Sequence, residues 1–212
     1  KVDIAKHGHS IKTTALNLFY TISGKAFEFD SMDEQEMKWL RRTKCCGLMY
    51  ASPKTADMRE YDINSHYPSI LSSTFSFPMG KPDYTTVTNE EFESYLYYPA
   101  GIYRVRIDNM DKRLMTVNPH HYYTHVDVKR AKELGYTMHI IEDGQPNIAF
   151  YRRRVSGTQV FAPYMQYLYG FKTKTRPLVK QLLNILWGAL CQKQYQYDDG
   201  DEIEIDVELE RV

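Results

Sequence analysis

One stretch of the sequence, from Tyr61 to Ile70, combines residue types that suit phosphate chemistry. Asp62 is expected at the end of a short strand, and Pro68 then forces the backbone into a turn or the first turn of a helix. A carboxylate at that point can hold a hard divalent cation such as Mg²⁺, which takes carboxylate and carbonyl oxygens together with substrate phosphates. Tyr67 follows at a distance that suits contact with the sugar beyond those phosphates.

A second group of residues, Lys180, Asn184, Trp187 and Gly188, has the helical spacing i, i+4, i+7 and i+8. In a helix these positions share one face. They would present a cation to a triphosphate, an amide and an aromatic ring to a base pair, and a position without a Cβ for close approach. The alternative is ordinary structure: the first stretch as a strand, turn and helix with a capping Asp, and the second as a buried helix with one snorkelling lysine.

Both stretches resemble motifs of the family B DNA polymerases. The pattern Asp-x-x-Ser-x-Tyr-Pro-Ser-Ile resembles motif A, and the residues around it are most similar to those of the protein-primed branch. The pattern Lys-x-x-x-Asn-x-x-Trp-Gly resembles motif B. Three positions depart from the family pattern: His66 replaces a Leu, Ile185 a Ser and Trp187 a Tyr. The two motifs stand in the family's order, which makes the resemblance more specific than either motif alone.

The resemblance implies DNA-directed nucleotidyl transfer with two metal ions, Mg²⁺ or Mn²⁺, that clamp the attacking 3′ oxygen and the leaving pyrophosphate. It makes Asp62 the catalytic, metal-bridging carboxylate and assigns a backbone carbonyl ligand to Ile63. The remaining implied residues bind the incoming nucleotide. Ser65 and Lys180, with help from Lys172, would hold the triphosphate; Tyr67 would exclude ribose; and Asn184 and Gly188 would shape the base-pair pocket.

The net charge of zero argues against a uniformly basic nucleic-acid binder. The distribution of the charges along the chain nevertheless suits a DNA partner. Residues 151–193 contain no Asp or Glu, whereas residues 194–212 contain eight acidic residues. The basic segment suits phosphate binding. Its expected DNA-binding residues are Arg152, Arg153, Arg154, Lys174 and Trp187.

The family's second catalytic carboxylate, in the hairpin called motif C, has no counterpart in the sequence, and neither has its exonuclease. Asp198, Asp199 and Asp201 lie close to motif B and are interpreted as solvated turn residues. Three hypotheses remain open. In the first, the chain is a segment of a polymerase, completed by residues or another chain that supply motif C. In the second, it is a polymerase relic that binds nucleic acid or nucleotide without turnover. In the third, it is an unrelated α+β protein with chance motifs. The expected partners are primed DNA template, dNTPs and a terminal protein.

The expected fold class is α+β: part of a polymerase palm (an antiparallel sheet with helices), helical fingers, and a small α/β insertion between the motifs. The predicted parts are a linker region over 1–52, the palm start with motif A over 53–83, an insertion that contacts terminal protein and DNA over 84–157, fingers over 158–193, and a return strand over 194–212.

Periodicity and capping residues predict the elements that position the motifs. Predicted helices are 10–20, 32–42, a short one near 69–72, 89–98 capped by Asn89, one from the Thr124/Asp127 capping box to Gly135, 159–169, and 177–193. Predicted strands are 45–52, 58–62, 101–108, a pair at 136–141 and 147–151 joined by a turn at Asp143-Gly144, and one beginning near Ile203.

Composition places the chain among ordinary globular proteins, with 42% hydrophobic and 25% charged residues. Three cysteines, two of them adjacent, form neither a disulfide framework nor a zinc ladder, which favours a reducing intracellular compartment. No apolar run approaches the length of a membrane span. The first residue is Lys1, which indicates that the chain starts inside a longer protein.

Overall fold

The computed structural model describes residues 10–23, 32–43, 47–51, 57, 59–171 and 177–190, together with the backbone of 194–198 and 201–205. Its helices are α1 (Ile11–Ser23), α2 (Glu34–Thr43), α3 (His66–Leu71), α4 (Asn89–Glu93), α5 (His125–Glu133), α6 (Gly157–Val160), α7 (Ala162–Tyr169) and α8 (Pro177–Leu190). Its strands are β1 (Ser76–Met79), β2 (Asp83–Thr85), β3 (Gly101–Ile107), β4 (Tyr122–Thr124), β5 (Met138–Ile140), β6 (Ile148–Phe150), β7 (Arg153–Ser156), β8 (Gln194–Asp198) and β9 (Asp201–Ile205).

The fold combines helices with antiparallel sheets, which confirms the α+β expectation. Backbone contacts divide the chain into two compact units. Unit 1 draws on the ranges 1–29, 60–77 and 155–212, and unit 2 on 30–59 and 78–154. Motifs A and B therefore belong to the same unit although about half of the chain separates them. The division into five parts stays a prediction.

Unit 1 is built on the packing of α1 against α8. Their apolar residues recur at helical spacing, so each helix has one buried face: Ala15, Leu18 and Phe19 on α1, and Leu182, Leu183, Leu186 and Ala189 on α8. Helix α7 completes this core with Tyr164, Met165 and Leu168. The buried hydroxyl of Tyr164 donates to the carbonyl of Leu182 at 2.9 Å, so the core leaves that polar group satisfied.

Gly157 at the start of α6 allows a close backbone approach to the end of α3. A Cβ at this position would lie 2.0 Å from the carbonyl oxygen of Leu71 and 2.7 Å from that of Ser73. Both atoms belong to backbone, which cannot move aside like a flexible side chain. Gly157 therefore helps to fix the position of α3, the helix that follows Asp62.

Unit 2 is a five-stranded antiparallel sheet organised around β3. The strand order is β2-β6-β3-β4, and β5 also pairs with β3. The residues of β3 are buried almost throughout, because neighbouring strands flank it on both edges and other elements pack on it: α5 contacts the strand, and Trp39 packs with Ile102. Helix α5 packs against β3 and β4.

The predicted pairing of the strands near 136–141 and 147–151 is wrong. Both strands exist, but each pairs with β3: β5 with Val105–Ile107 and β6 with Gly101–Tyr103. The turn at Asp143-Gly144 is held by other contacts. Asp143 accepts from the guanidinium of Arg104, and buried Asn147 donates to the carbonyl of Ile141 at 3.2 Å. The loop therefore links β5 to β6, and both of these strands pair with β3.

Helix α2 belongs to unit 2 and covers its sheet with Trp39. The Trp39 ring meets the rings of Tyr84 and Tyr122 edge-on, with centroids 5.4 and 5.1 Å away. The helix also carries a buried carboxylate, Glu36, that accepts a hydrogen bond of 2.9 Å from the hydroxyl of Tyr151. Burial and the nearby Glu36 charge raise the pKa of Tyr151, so this phenol stays a donor.

Two predicted helices differ in detail. Helix α4 ends at Glu93 and is capped by Thr88, which forms a capping box with Glu91. Asn89 instead contacts β5: its side-chain oxygen accepts from the amide of Ile140 at 2.9 Å. The predicted 159–169 helix is interrupted at Phe161, which separates α6 from α7.

Two predicted strands are absent from the described residues. Residues 47–51 and 59–63 have no strand structure, and no described strand pairs with either. A strand requires a neighbour for its backbone hydrogen bonds, which apolar composition alone does not provide. By contrast, α1, α2, α5, α8 and β3 agree with the predictions, including the Thr124/Asp127 capping box and a left-handed Gly135 after α5.

Strands β8 and β9 form a hairpin in which Asp198 pairs with Asp201. Strand β9 agrees with the strand expected near Ile203, and β8 was not predicted. Residues 24–31, the three cysteines, residues 52–56 and 191–193, Asp199 and residues 206–212 lie outside the described residues. Within the described residues, no helix is both long and apolar enough to cross a membrane.

Candidate functional site

Asp62 lies in an exposed, irregular segment just before α3. Its neighbours Tyr61, Ile63 and Asn64 are also exposed. The carboxylate is therefore available to solvent and to ligands, and within the part of the chain that the structure describes no cap or core contact explains it. The predicted strand that was to present Asp62 does not form over 59–63.

Helix α3 follows directly and fixes the rest of motif A. Ser65 adopts the left-handed conformation with φ 56°, and its carbonyl accepts from the amide of Ser69 at 2.9 Å. Pro68 lies buried in the first turn, as its fixed φ predicts, and Leu71 anchors the end of the helix in the core of unit 1. His66 and Tyr67 stay exposed at its start.

Helix α8 presents the motif B residues on the face opposite its buried leucines. Lys180, Asn184 and Trp187 are exposed, and Gly188 is half-buried. A Cβ on Gly188 would meet no described atom within 4 Å, so packing within the described chain does not require glycine there. The expected single stripe is present, and it faces away from the core.

The two motifs meet at Tyr67 and Trp187. Their rings stack with centroids 5.2 Å apart and an interplanar angle of 20°. Each ring keeps almost half of its surface exposed, 48% for Tyr67 and 47% for Trp187. The ring of His66 lies 5.7 Å from that of Tyr67. A continuous aromatic surface therefore joins the start of α3 to the exposed stripe of α8.

The expected DNA-binding residues are only partly described. Arg152, Arg153 and Arg154 are exposed in unit 2, where Arg152 is already ion-paired with Asp83 and lies over the Phe150 ring at 5.8 Å from its centroid. Trp187 belongs to unit 1, where its ring stacks on that of Tyr67, whereas the three arginines belong to unit 2. Lys172 and Lys174 lie outside the described residues.

The donor set at Asp62 fits the protein's share of one Mg²⁺ site. Mg²⁺ commonly takes one or two carboxylates and leaves its other positions to water and substrate phosphates. The carboxylate of Asp62 and the carbonyl of Ile63 are both on exposed residues. Among the described residues, no three His, Cys, Asp or Glu side chains are grouped to hold a metal ion.

Sequence reasoning missed two cavities in unit 2. One of about 440 Å³ is lined by Arg106, His121, His139 and Glu142, among others. The other, of about 400 Å³, is lined by Tyr97, Tyr98, His125, Arg152 and Arg154, together with neighbouring backbone and aromatic groups. The aromatic run before β3 and the arginine triplet were visible in the sequence, but their proximity depends on the pairing of β3 with β6.

Comparison with solved structures finds a similar fold in phi29 DNA polymerase, in its orthorhombic crystal form. The match has a TM-score of 0.61 at 15% sequence identity and covers 93% of this chain. The chain spans 41% of the length of that polymerase. At this identity the likeness concerns the fold.

Comparison with curated proteins finds no match. A family model does match, over residues 10–205, and its description is DNA polymerase type B, organellar and viral. The match includes both motifs and all of the described residues. The resemblance to family B is confirmed, and the viral description agrees with the branch that motif A resembles. The chain belongs to the type B DNA polymerases of organelles and viruses.

Proposed function

We propose that this chain contributes the nucleotide-binding part of a polymerase that transfers nucleotides from dNTPs to a primed DNA strand. The stacking of Tyr67 on Trp187 is the observation that carries the proposal. It brings the metal-binding end of motif A and the exposed face of motif B to one surface of unit 1. An ordinary core pair would be buried, whereas both of these rings remain open to a ligand.

Helix α8 can contact both ends of one nucleotide. Lys180 and Trp187 are seven positions apart, which corresponds to roughly 10 Å along a helix. The ammonium group can offset phosphate charge at one end, while the aromatic pair contacts sugar and base at the other. Asn184 lies between them on the exposed face, and the open space beside Gly188 leaves room for a base pair.

Tyr67 serves as the sugar gate in this proposal. Its ring is held from one side by Trp187, so it can resist displacement by an additional 2′ hydroxyl group. Ser65 assists at the triphosphate, and its left-handed backbone turns the chain from Asp62 into α3. Lys172 keeps its proposed role beside Lys180.

Asp62 and Ile63 would hold Mg²⁺ or Mn²⁺, and Asp62 is the proposed catalytic carboxylate. When bound, such ions stabilise the charge on the attacking and leaving oxygens. The protein's own contribution at this position is an exposed carboxylate, five positions before Tyr67 in the sequence. A second carboxylate, of the kind that motif C supplies in the family, would complete a two-metal site.

Priming by a terminal protein is part of the proposal and is supported by the organellar and viral description of the family. The insertion over 84–157 keeps its proposed contacts with DNA and the terminal protein, and most of it belongs to unit 2. Arg152, Arg153 and Arg154 are its proposed phosphate contacts, with Lys174 as a further one.

A second candidate function is nucleotide or nucleic-acid binding without turnover. The observation that favours it is that no group of three potential metal ligands exists among the described residues. The aromatic surface and Lys180 would then bind a nucleotide without catalysing its transfer.

One experiment separates the two functions. Binding of dATP with Mg²⁺ is measured by calorimetry for the wild-type chain and for Lys180→Ala, and extension of a primed template is measured for the wild-type chain and for Asp62→Asn. The polymerase is supported if dATP binding depends on Lys180 and if Asp62→Asn abolishes extension of the primed template. The same binding without extension, even after a segment that carries the motif C carboxylate is added, supports the second function. No binding of dATP contradicts both the polymerase and nucleotide binding without turnover.

A further inference from the structure

The cavity of about 400 Å³ in unit 2 lies at one end of the central strand β3. It is bounded by the segment that enters β3, by His125 at the start of α5, and by the chain that leaves β6. This volume is within the usual range of small-ligand sites. All of its lining residues belong to unit 2.

Aromatic rings form one side of this cavity. Tyr97 is 76% exposed at its edge. Tyr98 is fixed by packing, because its ring lies 5.4 Å from that of Phe92 and 5.9 Å from that of Tyr103. A fixed ring beside an exposed one offers a flat ligand a stacking surface at low cost in conformational entropy.

Guanidinium groups form another side. Arg152 lies over the Phe150 ring and pairs with Asp83, so this cation has a set position. Arg154 also lines the cavity, whereas Arg153 does not. This alternation is expected at the start of a strand, where successive side chains point to opposite faces. The sequence triplet therefore provides two cavity cations and one directed elsewhere.

His125 adds a neutral hydrogen-bond donor. Its Nδ1 accepts from the amide of Gly101 at 3.4 Å, which leaves the ring proton on Nε2. Burial is the main cause that lowers the pKa of His125, and the positive charge of nearby Arg154 also lowers it, while the carboxylate of Asp127 acts in the opposite direction. At neutral pH the imidazole therefore contributes a donor without a charge.

We propose that this cavity binds an unpaired nucleotide of single-stranded DNA, with the base against Tyr97 and Tyr98 and a flanking phosphate beside Arg154. The inference rests on the proposed function, since it assigns a DNA contact to the polymerase chain. Aromatic faces combined with cations are the features that bind single strands without sequence preference. A base held inside a duplex cannot enter a cavity of this kind, so the ligand is a single strand or a displaced nucleotide.

Charge distinguishes this cavity from the other one in unit 2. The cavity of about 440 Å³ also contains an arginine, Arg106, but it includes Glu142, and Asp108 lies 3.3 Å from Arg106. Glu142 lines that cavity and would repel a phosphate, whereas no acidic residue is among the lining residues of the cavity of about 400 Å³; there Asp83 pairs with Arg152 without lining the cavity. Arg106 therefore provides a matched control for Arg154, with the same side chain and a cavity of similar volume.

The test uses the full chain and an oligothymidylate of about 12 nucleotides, a length within the site sizes of single-strand binding proteins. Affinity is measured by fluorescence anisotropy. Tyr97→Ala is expected to weaken binding about tenfold, from the loss of one stacked base, while Tyr97→Phe keeps the stacking ring and the affinity. Arg154→Ala is expected to weaken binding and to lower the salt dependence by about one phosphate contact, and Arg106→Ala to change neither.

Photochemical crosslinking gives a readout of position. The same oligonucleotide with one 5-iodouracil is expected to crosslink to Tyr97, Tyr98 or His125, as identified by mass spectrometry. Crosslinks confined to other residues, with equal affinity for Tyr97→Ala and wild type, would overturn the inference. Displacement of the oligonucleotide by an acidic peptide of equal charge would also overturn it, in favour of a protein partner.

The test of the cavity can fail or succeed independently of the test of the proposed function. Binding of dATP depends on Lys180 in unit 1, and the cavity variants lie in unit 2. If dATP binding remains sensitive to Lys180→Ala while oligonucleotide binding ignores the cavity variants, the inference fails and the proposed function stands. If dATP does not bind at all, the proposed function fails whatever the cavity does.

Discussion

Tyr67 and Trp187 stack with their ring centroids 5.2 Å apart, although 119 residues separate them in the sequence. The contact links α3 to α8 at a point where both rings are half exposed. Stacked aromatic pairs contribute about 0.5–1.5 kcal/mol beyond the area they bury. The pair therefore stabilises the arrangement of the two motifs and also offers an open surface to a ligand.

The first prediction concerns this coupling. In a double-mutant cycle of Tyr67→Ala and Trp187→Ala, the free energies of urea unfolding should show an interaction of about 0.5–1 kcal/mol, near the lower end because the rings are exposed. Trp187→Tyr, which restores the family residue, should keep most of the coupling. Additive effects of the two alanine changes would show that the stack contributes nothing to stability.

The second prediction concerns sugar selection. Because Trp187 supports the Tyr67 ring from one side, both Tyr67→Ala and Trp187→Ala should reduce the preference for dATP over ATP, measured as the ratio of the two dissociation constants with Mg²⁺. Trp187→Tyr should retain the wild-type preference. A ratio that stays the same in Tyr67→Ala would remove the gate role from this residue.

The third prediction concerns Lys180. Its side chain is exposed on α8, so Lys180→Ala should leave the fold intact and weaken dATP binding about tenfold through lost phosphate attraction, an effect that salt should reduce. Lys12→Ala is the matched control, since Lys12 is an exposed lysine of α1, which packs against α8. Equal effects of the two changes would count against the assignment of Lys180 to the phosphates.

The fourth prediction concerns Asp62. Asp62→Asn removes the charge of an exposed carboxylate, so the unfolding free energy should stay within about 0.5 kcal/mol of wild type. Binding of Mn²⁺ in the presence of dATP, followed by electron paramagnetic resonance, should become at least about tenfold weaker. Asp57→Asn, at another exposed aspartate, should bind as the wild type does. Wild-type Mn²⁺ affinity in Asp62→Asn would place the metal elsewhere.

Local signals predicted the elements whose determinants are local. The Thr124/Asp127 capping box sets the start of α5, and the apolar spacing of α8 predicts both its burial and the exposed stripe of Lys180 and Asn184. Those features depend on neighbours within one helical turn or two. The family motifs were specific for the same reason, since each is a contiguous pattern.

Pairing between distant segments could not be predicted in this way. β5 and β6 have the composition of a hairpin, yet both pair with β3, because a central strand buries more apolar surface than a two-stranded hairpin does. Apolar residues at 47–51 predicted a strand that has no partner among the described strands. The unit 2 cavity depends on the same long-range pairing, which is why its residues were not grouped from the sequence.

The fifth prediction contrasts two tyrosines around α2. The hydroxyl of Tyr84 is buried and has no hydrogen-bond partner among the described residues, while that of Tyr151 donates to Glu36 at 2.9 Å. Tyr84→Phe should therefore be neutral or slightly stabilising, and its ring should keep the contact with Trp39. Tyr151→Phe should destabilise by about 1–3 kcal/mol, because buried Glu36 loses a donor. Equal costs in urea unfolding would contradict this account.

The same tyrosines predict a loss of stability in alkali. Burial, followed by the charges of Asp33 and Glu36, raises the pKa of Tyr84 to about 12, and burial raises the pKa of Tyr103 and Tyr151 as well. Below about pH 10 these phenols are protonated in both folded and unfolded chains, so their stabilisation is fully present. Above that pH the unfolded chain releases protons that the folded chain retains, so stability falls progressively as the pH rises toward the folded values. Urea midpoints should decrease between about pH 10 and about pH 12, and the midpoint of Tyr84→Phe should decrease less steeply because one of these phenols is missing. A midpoint that is constant over this range would mean that these phenols ionise equally in both states.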